Sequence, residues 1–342
     1  MPTWFHTSTA GGGIGAVFLL RFDMRAPQPG ASTPELYATA IDMCAWAEPR
    51  GCAAVLFCEH HSSPDGYLPS PLILGTAVAA RTTTLPIMLG AVLLPFLDPV
   101  KLAEDMNVLD IISQGRVSYT FGIGYRPAEY EHFGVEFGRR GRIAEEKLAV
   151  LATVRAGEPV EIDGRRIHVT PPPFTPGGPT ISWGGHSLAA ARRAGRFGIA
   201  LQPNGSVPGL REAYEEACRE NGHEPQPLRI PDKDTAAVVF VADDVDAAWD
   251  ELGPYLFHDA STYSSWNEGD TTTSMISHAR SIDELRRSSP GYQIWSTDEA
   301  ATHVAAGGAI PCVPLCGGIP PELAWPYLER AAKVSADLSP RA

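Results

Sequence analysis

A short polar run that follows an apolar stretch carries the residue types needed for acid–base chemistry. Glu59, His60 and His61 come directly after residues 53–58, whose Ala-Ala-Val-Leu-Phe-Cys sequence is typical of a buried strand. An imidazole gains or loses a proton near neutral pH, so these residues predict a general base or a stabiliser of an anionic oxygen. A histidine hydrogen-bonded to a neighbouring loop is the structural alternative.

A zinc site is the competing interpretation of these two histidines. Barrel hydrolases that bind zinc after a strand use a His-x-His pair, because alternate side chains of a strand point to one side. His60 and His61 are adjacent, and the chain has no His-Glu-x-x-His motif. We therefore predict no catalytic metal.

A second group combines glycine with a cation at the end of a strand pattern. Gly124, Tyr125 and Arg126 follow the pattern at residues 116–121. Glycine at a strand end lets a flat ring approach the backbone closely, and arginine can bind a phosphate or a carboxylate. A turn with a surface arginine explains these residues equally well.

A third group has the composition of a phosphate-binding turn. Gly184, Gly185, His186 and Ser187 follow a short strand pattern and precede the helical run that begins at residue 188. Such a turn offers backbone N–H groups and the positive end of the helix dipole to an anion. Ser187 also suits the simple role of a helix N-cap.

These groups must be positioned by the elements around them, and those elements alternate regularly along the chain. The predicted strands are residues 16–22, 53–58, 87–94, 116–121, 180–183, 198–201, 236–241 and 309–315. The predicted helices are residues 34–47, 71–80, 99–112, 140–155, 188–194, 208–221, 245–252 and 321–335. Eight strand–helix pairs predict a parallel (β/α)8 TIM barrel, in which the reactive residues lie at the carboxyl ends of the strands.

One barrel domain is expected over residues 1–342, with two insertions. Residues 158–178, after the fourth helix, predict a hairpin and a Pro-rich excursion, and residues 257–306, after the seventh, form a long polar segment. Long loops of this kind often shape a binding pocket. Tyr263, Trp266 and Trp295 either line that pocket or hold the loop in place.

Composition excludes several classes of protein. A net charge of −13 repels nucleic acid, and no apolar stretch is long enough to cross a membrane. The glycine run at residues 11–16 precedes a strand pattern instead of a helix, which argues against a dinucleotide-binding loop. The six cysteines include no Cys-x-x-Cys pair, so we expect reduced thiols and a cytoplasmic location.

Four segments, in this order along the chain, resemble the bacterial luciferase-like monooxygenases. They are the Glu-His-His triplet and residues 98–116, 122–134 and 179–187. The resemblance extends over residues 34–202 and resumes weakly near residues 313–320. Each segment is only indicative alone, but their combination and order are specific.

The resemblance implies a flavin-dependent monooxygenase with reduced FMN as its cofactor, usually supplied by a separate flavin reductase. In that family oxygen adds to the reduced flavin, and the resulting peroxide oxidises a small organic substrate. His60 occupies the position of the family's catalytic histidine, as base or peroxide stabiliser, with Glu59 and His61 beside it. A homodimer is expected on the same ground.

Further cofactor contacts follow from the resemblance. Gly185, His186 and Ser187 match the family's phosphate turn, and Gly90 with Ala91 matches a non-proline cis peptide under the flavin ring. The chain departs from many members at Ile123, where an arginine helps to bind the flavin. Its absence leaves the flavin affinity to other groups, such as Arg126 or His186.

Two alternative functions remain open. A sister branch of the fold transfers hydride with a deazaflavin, although the Glu-His-His and Tyr-Arg-Pro-x-Glu-Tyr patterns are closer to the FMN branch. Some family members are flavin-binding subunits without activity, and the retention of His60 argues against that function. The identity of the substrate is not readable from these residues.

Overall fold

Parallel strands alternating with helices make up the computed structural model, which describes residues 18–338. The strands are β1 (Phe18–Phe22), β2 (Cys52–Phe57), β3 (Ile87–Leu93), β4 (Val117–Gly122), β5 (Val160–Ile162), β6 (Arg165–Ile167), β7 (Thr180–Gly184), β8 (Ala200–Gln202), β9 (Val238–Ala242), β10 (Tyr292–Ser296) and β11 (Ile310–Cys312). The helices are α1 (Thr33–Ala47), α2 (Pro71–Arg81), α3 (Pro99–Ser113), α4 (Pro127–Phe133), α5 (Arg140–Val154), α6 (Leu188–Arg196), α7 (Leu210–Glu220), α8 (Val245–Trp266), α9 (Ile282–Ser288), α10 (Thr297–Ala305) and α11 (Pro321–Leu338).

Nine of the strands form one parallel sheet in the order β10-β9-β11-β1-β2-β3-β4-β7-β8. Eight of them follow the strand order of a (β/α)8 barrel, and β10 adds a ninth strand beside β9. The two ends of this order, β10 and β8, are not hydrogen-bonded to each other within the described residues. The predicted barrel architecture is confirmed, with an extra strand next to its seventh position.

The strands are apolar because both of their faces are covered. Every residue of β1 and of β9 is buried, as expected for a parallel sheet between a filled interior and a layer of helices. Alternate side chains point to opposite faces, so Arg21 belongs to a different face of β1 from Phe22. Phe22 stacks on Phe57 of β2 with ring centroids 5.9 Å apart, which joins the two strands through the core.

The small antiparallel sheet confirms the predicted hairpin in the first insertion. Strands β5 and β6 pair antiparallel, from Val160 opposite Ile167 to Ile162 opposite Arg165. The two turn residues have φ values of 51° at Asp163 and 71° at Gly164. Positive φ at both central residues is the geometry that matches the twist of a tight hairpin.

The second insertion contains more regular structure than the sequence predicted. Helix α8 was expected to end at residue 252, before the Gly-Pro pair, but it continues through Pro254 to Trp266. Proline removes only one helical hydrogen bond, and the buried face of α8 beyond it, including Leu256 and Tyr263, packs on the barrel and keeps the helix intact. Helices α9 and α10 and strand β10 also lie in this region, so residues 257–306 are not one long loop.

Three other expectations concern the amino-terminal segment, membrane-spanning helices and the cysteines. The start of the first predicted strand and the glycine run at residues 11–16 lie outside the described residues. Between residues 18 and 338 no helix combines the length and the apolar character needed to span a bilayer. All six cysteines are free thiols.

Candidate functional site

The centre of the site is a buried pair formed by His60 and Glu129. His60 follows β2, and Glu129 lies in the first turn of α4, which begins just beyond β4. Their side chains meet with Nδ1 of His60 2.9 Å from Oε1 of Glu129, and the glutamate is fully buried. The same oxygen accepts a hydrogen bond of 2.9 Å from the backbone N–H of His61.

Electrostatics fix the protonation of this pair. Burial lowers the pKa of His60, and the hydrogen bond and charge of Glu129 offset this only in part. Burial also raises the pKa of Glu129, but the hydrogen bonds from His60 and His61 and the charge of Arg126 outweigh it, so the pKa falls below its ordinary value. A neutral imidazole therefore faces a carboxylate at neutral pH, and Nδ1 must carry the hydrogen because a carboxylate only accepts.

The second nitrogen of His60 faces the barrel mouth. Its Nε2 lies 3.2 Å from the hydroxyl of Tyr125, and with Nδ1 protonated it is the acceptor. Tyr125 is 39% exposed, so this side of the imidazole is the side that approaches solvent. Nε2 is therefore the atom of the pair that can exchange a proton with a bound molecule.

Glu59 and His61, also predicted as catalytic, form a separate pair. His61 Nε2 lies 2.7 Å from Glu59 Oε1, and the other oxygen of Glu59 accepts the N–H of Leu93 at 3.3 Å. Burial raises the pKa of Glu59, and the bond from His61 opposes that rise. The ring of His61 is edge-on to Phe96 and Phe133, at 5.6 and 4.7 Å. The contacts of this pair join the loops beside His60.

Aromatic side chains surround the imidazole of His60. The ring centroids of Tyr67, Tyr125, Tyr263 and Trp266 lie 4.9, 5.3, 6.3 and 5.0 Å from it. Tyr263 and Trp266 come from the carboxyl end of α8, which the sequence had left in the second insertion. With Tyr67 and Tyr125 they form an aromatic wall around His60.

Trp295 lies outside this wall, and the hydrogen bonds of Arg126 fall within the loops beside His60. Trp295 of β10 packs against His303 at 4.7 Å instead of joining that wall. Arg126 donates from Nη1 to the carbonyl of His61 at 2.7 Å, and its guanidinium covers Trp266 at 3.8 Å. Its hydrogen bonds therefore hold the loop beside His60.

A buried arginine supports the aromatic wall from behind, and sequence reasoning missed it. Arg25 is fully buried; it pairs with Asp65 at 2.5 Å and with Asp259 of α8 at 2.9 Å. Its guanidinium also lies 4.7 Å from the ring of Tyr67 and 4.6 Å from that of Trp266. The available signal was its position just beyond the first strand, the end at which barrel enzymes keep their polar residues.

An acidic cluster lies close to Arg25. The ligand atoms of Asp23, Asp259 and Cys316 fall within 4.8 Å of one another, a spacing that a metal ion could bridge. Burial, and next the neighbouring Asp259, raise the pKa of Asp23 to about 6, while Arg25 and Arg21 act in the opposite direction. Two guanidinium groups already supply positive charge here, so the residues fit a buried ion network better than a metal site.

Small residues line the base of the barrel mouth; we call Gly90, Ala91, Gly122 and Gly184 the glycine floor. The peptide between Gly90 and Ala91 is cis, as the resemblance implied. A Cβ added to Gly122 would meet the Ala91 side chain at 3.0 Å, and one added to Gly184 would meet Thr120 at 3.2 Å. The carboxyl ends of β3, β4 and β7 thus approach each other closely at these positions.

The predicted phosphate turn lies between β7 and α6. Ser187 is the N-cap of α6, and its oxygen accepts the N–H of Ala190 at 3.1 Å, which leaves its O–H free to donate. Gly185 has a φ of 118°, which glycine adopts readily. His186 is hydrogen-bonded to Asn204 at 2.7 Å and to Thr272 at 2.8 Å, which ties the turn to the second insertion.

Glu129 is the site residue that sequence reasoning did not assign. It belongs to the quoted Tyr-Arg-Pro-x-Glu-Tyr pattern, and Pro127 there marks a helix start. The available signal was an acidic residue in the first turn of a helix that follows a barrel strand. Its partner on the loop after β2 is not readable from spacing, because 69 positions separate it from His60.

Comparison with known proteins gives the family. A family model described as luciferase-like monooxygenase matches residues 17–301. The alkanal monooxygenase alpha chain of Photorhabdus luminescens is 24% identical over 207 residues, which are 57% of each protein. The oxygenase component of a flavin-dependent trigonelline monooxygenase from Acinetobacter baylyi is 29% identical over 126 residues, 36% of this chain and 35% of that protein. The chain thus spans little more than half, or less, of these relatives' length.

Solved structures share the fold. Monooxygenase RslO1 from Streptomyces bottropensis superposes with a TM-score of 0.72 at 21% identity, covering 92% of this chain and 98% of that one. The oxygenating constituent of 3,6-diketocamphane monooxygenase from Pseudomonas putida, solved with FMN, gives 0.68 at 21% identity, with 94% and 99% covered. An F420-dependent secondary alcohol dehydrogenase gives 0.60 at 15% identity, with 90% and 98% covered.

Proposed function

Since this chain belongs to the luciferase-like monooxygenase family, we propose that it is an oxygenase that uses reduced FMN and dioxygen to oxidise a small organic substrate. The observation that carries the proposal is the buried His60–Glu129 pair at the carboxyl end of the barrel. It lies at the same end as the glycine floor and the turn before α6. That combination offers one proton-exchanging nitrogen, a flat surface and an anion-binding helix end.

The residues present fit a flavin mononucleotide. The ring would lie over Gly90, Ala91 and Gly124, with the loop of Tyr125 and Arg126 beside it, because small residues at the carboxyl ends of β3 and β4 let a flat ring approach the backbone closely. Reduced FMN would supply the electrons that make dioxygen reactive toward the substrate.

The phosphate would be bound at the turn before α6. Gly184, Gly185, His186 and Ser187 present the amino end of α6, where the helix dipole and the Ser187 hydroxyl favour an anion. Ile123 supplies no charge, and Arg126 is already bonded to His61 and Glu129. Phosphate binding would therefore depend on this turn.

His60 is proposed as the group that holds or moves the proton. Its neutral ring accepts at Nε2 and its Nδ1–H stays bonded to Glu129, so it can act as base, or as acid once protonated. The surrounding aromatic rings shield the rest of the imidazole from bulk water. Glu59 and His61 hold the loop on which His60 lies.

Two protein partners are part of the proposal. One is a separate reductase that supplies reduced FMN, since the A. baylyi relative is named an oxygenase component.

The other is a second copy of the chain. Helices α2 and α3, which pack together, expose Ile73, Val108, Ile111 and Ile112, with Ile73 74% exposed. Exposed apolar side chains on two helices that pack together support such an interface.

Hydride transfer with a deazaflavin is the second candidate function, favoured by the likeness of fold to the F420-dependent dehydrogenase.

Product analysis tests these functions: the protein, reduced FMN and isotopically labelled dioxygen are incubated with a panel of aldehydes, ketones and aromatic compounds. An oxygenase incorporates the label into product. Reduction or oxidation of a substrate with a deazaflavin, without label, would establish the alternative. A flavin-binding subunit without activity would give neither product.

A further inference from the structure

We propose that Glu129 is a positioning residue, whose carboxylate fixes the orientation and tautomer of His60 so that Nε2 is presented to the reacting molecules. The effect on catalysis rests on the proposed function. The hydrogen bond itself belongs to the protein without its cofactor and can be observed there.

Geometry supports this assignment. Glu129 lies in the first turn of α4, and its Oε1 receives both the His60 ring at Nδ1 and the His61 backbone N–H, each at 2.9 Å. One oxygen thus holds the ring and the loop that carries it. Arg126 contributes a longer contact of 3.3 Å to the same oxygen. Oε2 is buried and has no hydrogen-bond partner among the described residues, so Oε1 makes these contacts alone.

The tautomer follows from the acceptor. An ionised carboxylate has no hydrogen to donate, so the neutral ring keeps its hydrogen on Nδ1 and its lone pair on Nε2. If the carboxylate were absent, the hydrogen would be free to move to Nε2, and the Nε2 lone pair facing Tyr125 would be lost. Glu129 therefore determines which nitrogen of His60 is the base.

The charge of Glu129 also makes His60 a stronger base, because it raises the pKa of the imidazole. The titratable and charged groups that face His60 come from the β1 end, the β2 and β4 loops, α4 and α8; they are Arg25, Tyr67, Tyr125, Arg126, Glu129 and Tyr263. After burial, which lowers the pKa of His60, Glu129 raises it, whereas Arg126 and Arg25 lower it. Removing the charge of Glu129 leaves burial and two cations, so the pKa of His60 must fall further.

The test is Glu129→Gln, which keeps the size of the side chain and removes its charge. Nitrogen NMR of histidine-labelled protein without flavin, with the His60 signals assigned by their loss in His60→Ala, reports tautomer and titration directly. Wild type is expected to carry the hydrogen on Nδ1. In the variant the amide oxygen can still accept from Nδ1 but carries no charge, so the preference for the hydrogen on Nδ1 weakens and the midpoint falls by about one pH unit or more.

Turnover provides the second measurement. The limb of the kcat/KM profile that belongs to His60 is expected to move to lower pH, whether His60 acts as acid or as base, because its pKa falls. The value of kcat should fall about a hundredfold, with KM changed little. Glu129→Asp should recover part of the loss. Glu131→Gln, an exposed glutamate of the same helix, is the matched control and should match wild type.

The outcomes separate this proposal from the proposed function. A wild-type His60 with its hydrogen on Nε2 would overturn the positioning role, and this result needs no variant that folds. Unchanged kcat in Glu129→Gln despite a changed tautomer would overturn it as well. A shifted tautomer in a protein that never oxygenates any substrate would support the hydrogen-bond assignment while refuting the oxygenase function.

Discussion

Two neighbouring histidines have different surroundings, and this difference is the reason why we propose His60, and not His61, as the reactive one. His60 is bonded through Nδ1 to a carboxylate and keeps Nε2 near the mouth, whereas the Nε2 of His61 is bound to Glu59 and its ring packs between Phe96 and Phe133. The two side chains leave the loop after β2 toward different carboxylates.

A pair of substitutions tests this difference. His60→Ala is expected to retain reduced-FMN binding and to lose turnover by about a hundredfold or more, because the proton-exchanging nitrogen is removed. His61→Ala should affect turnover less and lower the unfolding midpoint more, since it leaves buried Glu59 without its partner. Steady-state kinetics and thermal unfolding of both variants check this. Equal losses of turnover at normal stability would refute the assignment.

At the scale of elements, α8 joins the wall around His60 to the barrel through Arg25. The ion pairs of Arg25 with Asp65 and Asp259, and its stacking on Tyr67 and Trp266, hold the carboxyl half of this helix against the β1 and β2 ends. The wall is therefore stabilised by a buried ionic contact as well as by apolar packing.

Arg25→Met should destabilise the protein by about 3–5 kcal/mol, because it removes the cation from fully buried Asp259 and half-buried Asp65, which keep only Tyr292 and His258 as their longer-range partners. Urea unfolding at neutral pH measures the change. Arg50→Met is a matched control, since exposed Arg50 also stacks on a tryptophan, Trp46, at 4.3 Å. Its effect should stay within about 0.5 kcal/mol. A loss at Arg25 as small as that at Arg50 would contradict the supporting role of the network.

The elements also show where sequence reasoning succeeds. Strands buried on both faces appear as unbroken apolar runs, so the eight barrel positions were predictable. Strand β10 was not predicted because Tyr292–Ser296 alternates in burial and lies within a polar segment. The contacts of His60 with Glu129, and of Arg25 with Asp259, join residues distant in the chain, and one sequence does not reveal such pairs.

At the scale of the whole molecule, the exposed isoleucines of α2 and α3 predict self-association. Wild type should be a dimer by light scattering at micromolar concentration. The double variant Ile73→Lys with Ile111→Lys should be monomeric, because two buried charges on each chain would oppose the contact. Thr153→Lys, on the exposed side of α5, adds charge elsewhere and should remain dimeric. A monomeric wild type would refute the predicted interface.

The most direct test of the central claim, a flavin site across the barrel mouth, is an anaerobic titration of the protein with reduced FMN, followed by absorbance and fluorescence. We expect saturation at one FMN per chain, weaker binding of riboflavin because it lacks the phosphate that the α6 turn would hold, and weaker binding to a Ser187→Ala variant. Absence of saturable FMN binding, or equal affinity for riboflavin and FMN, would contradict the account.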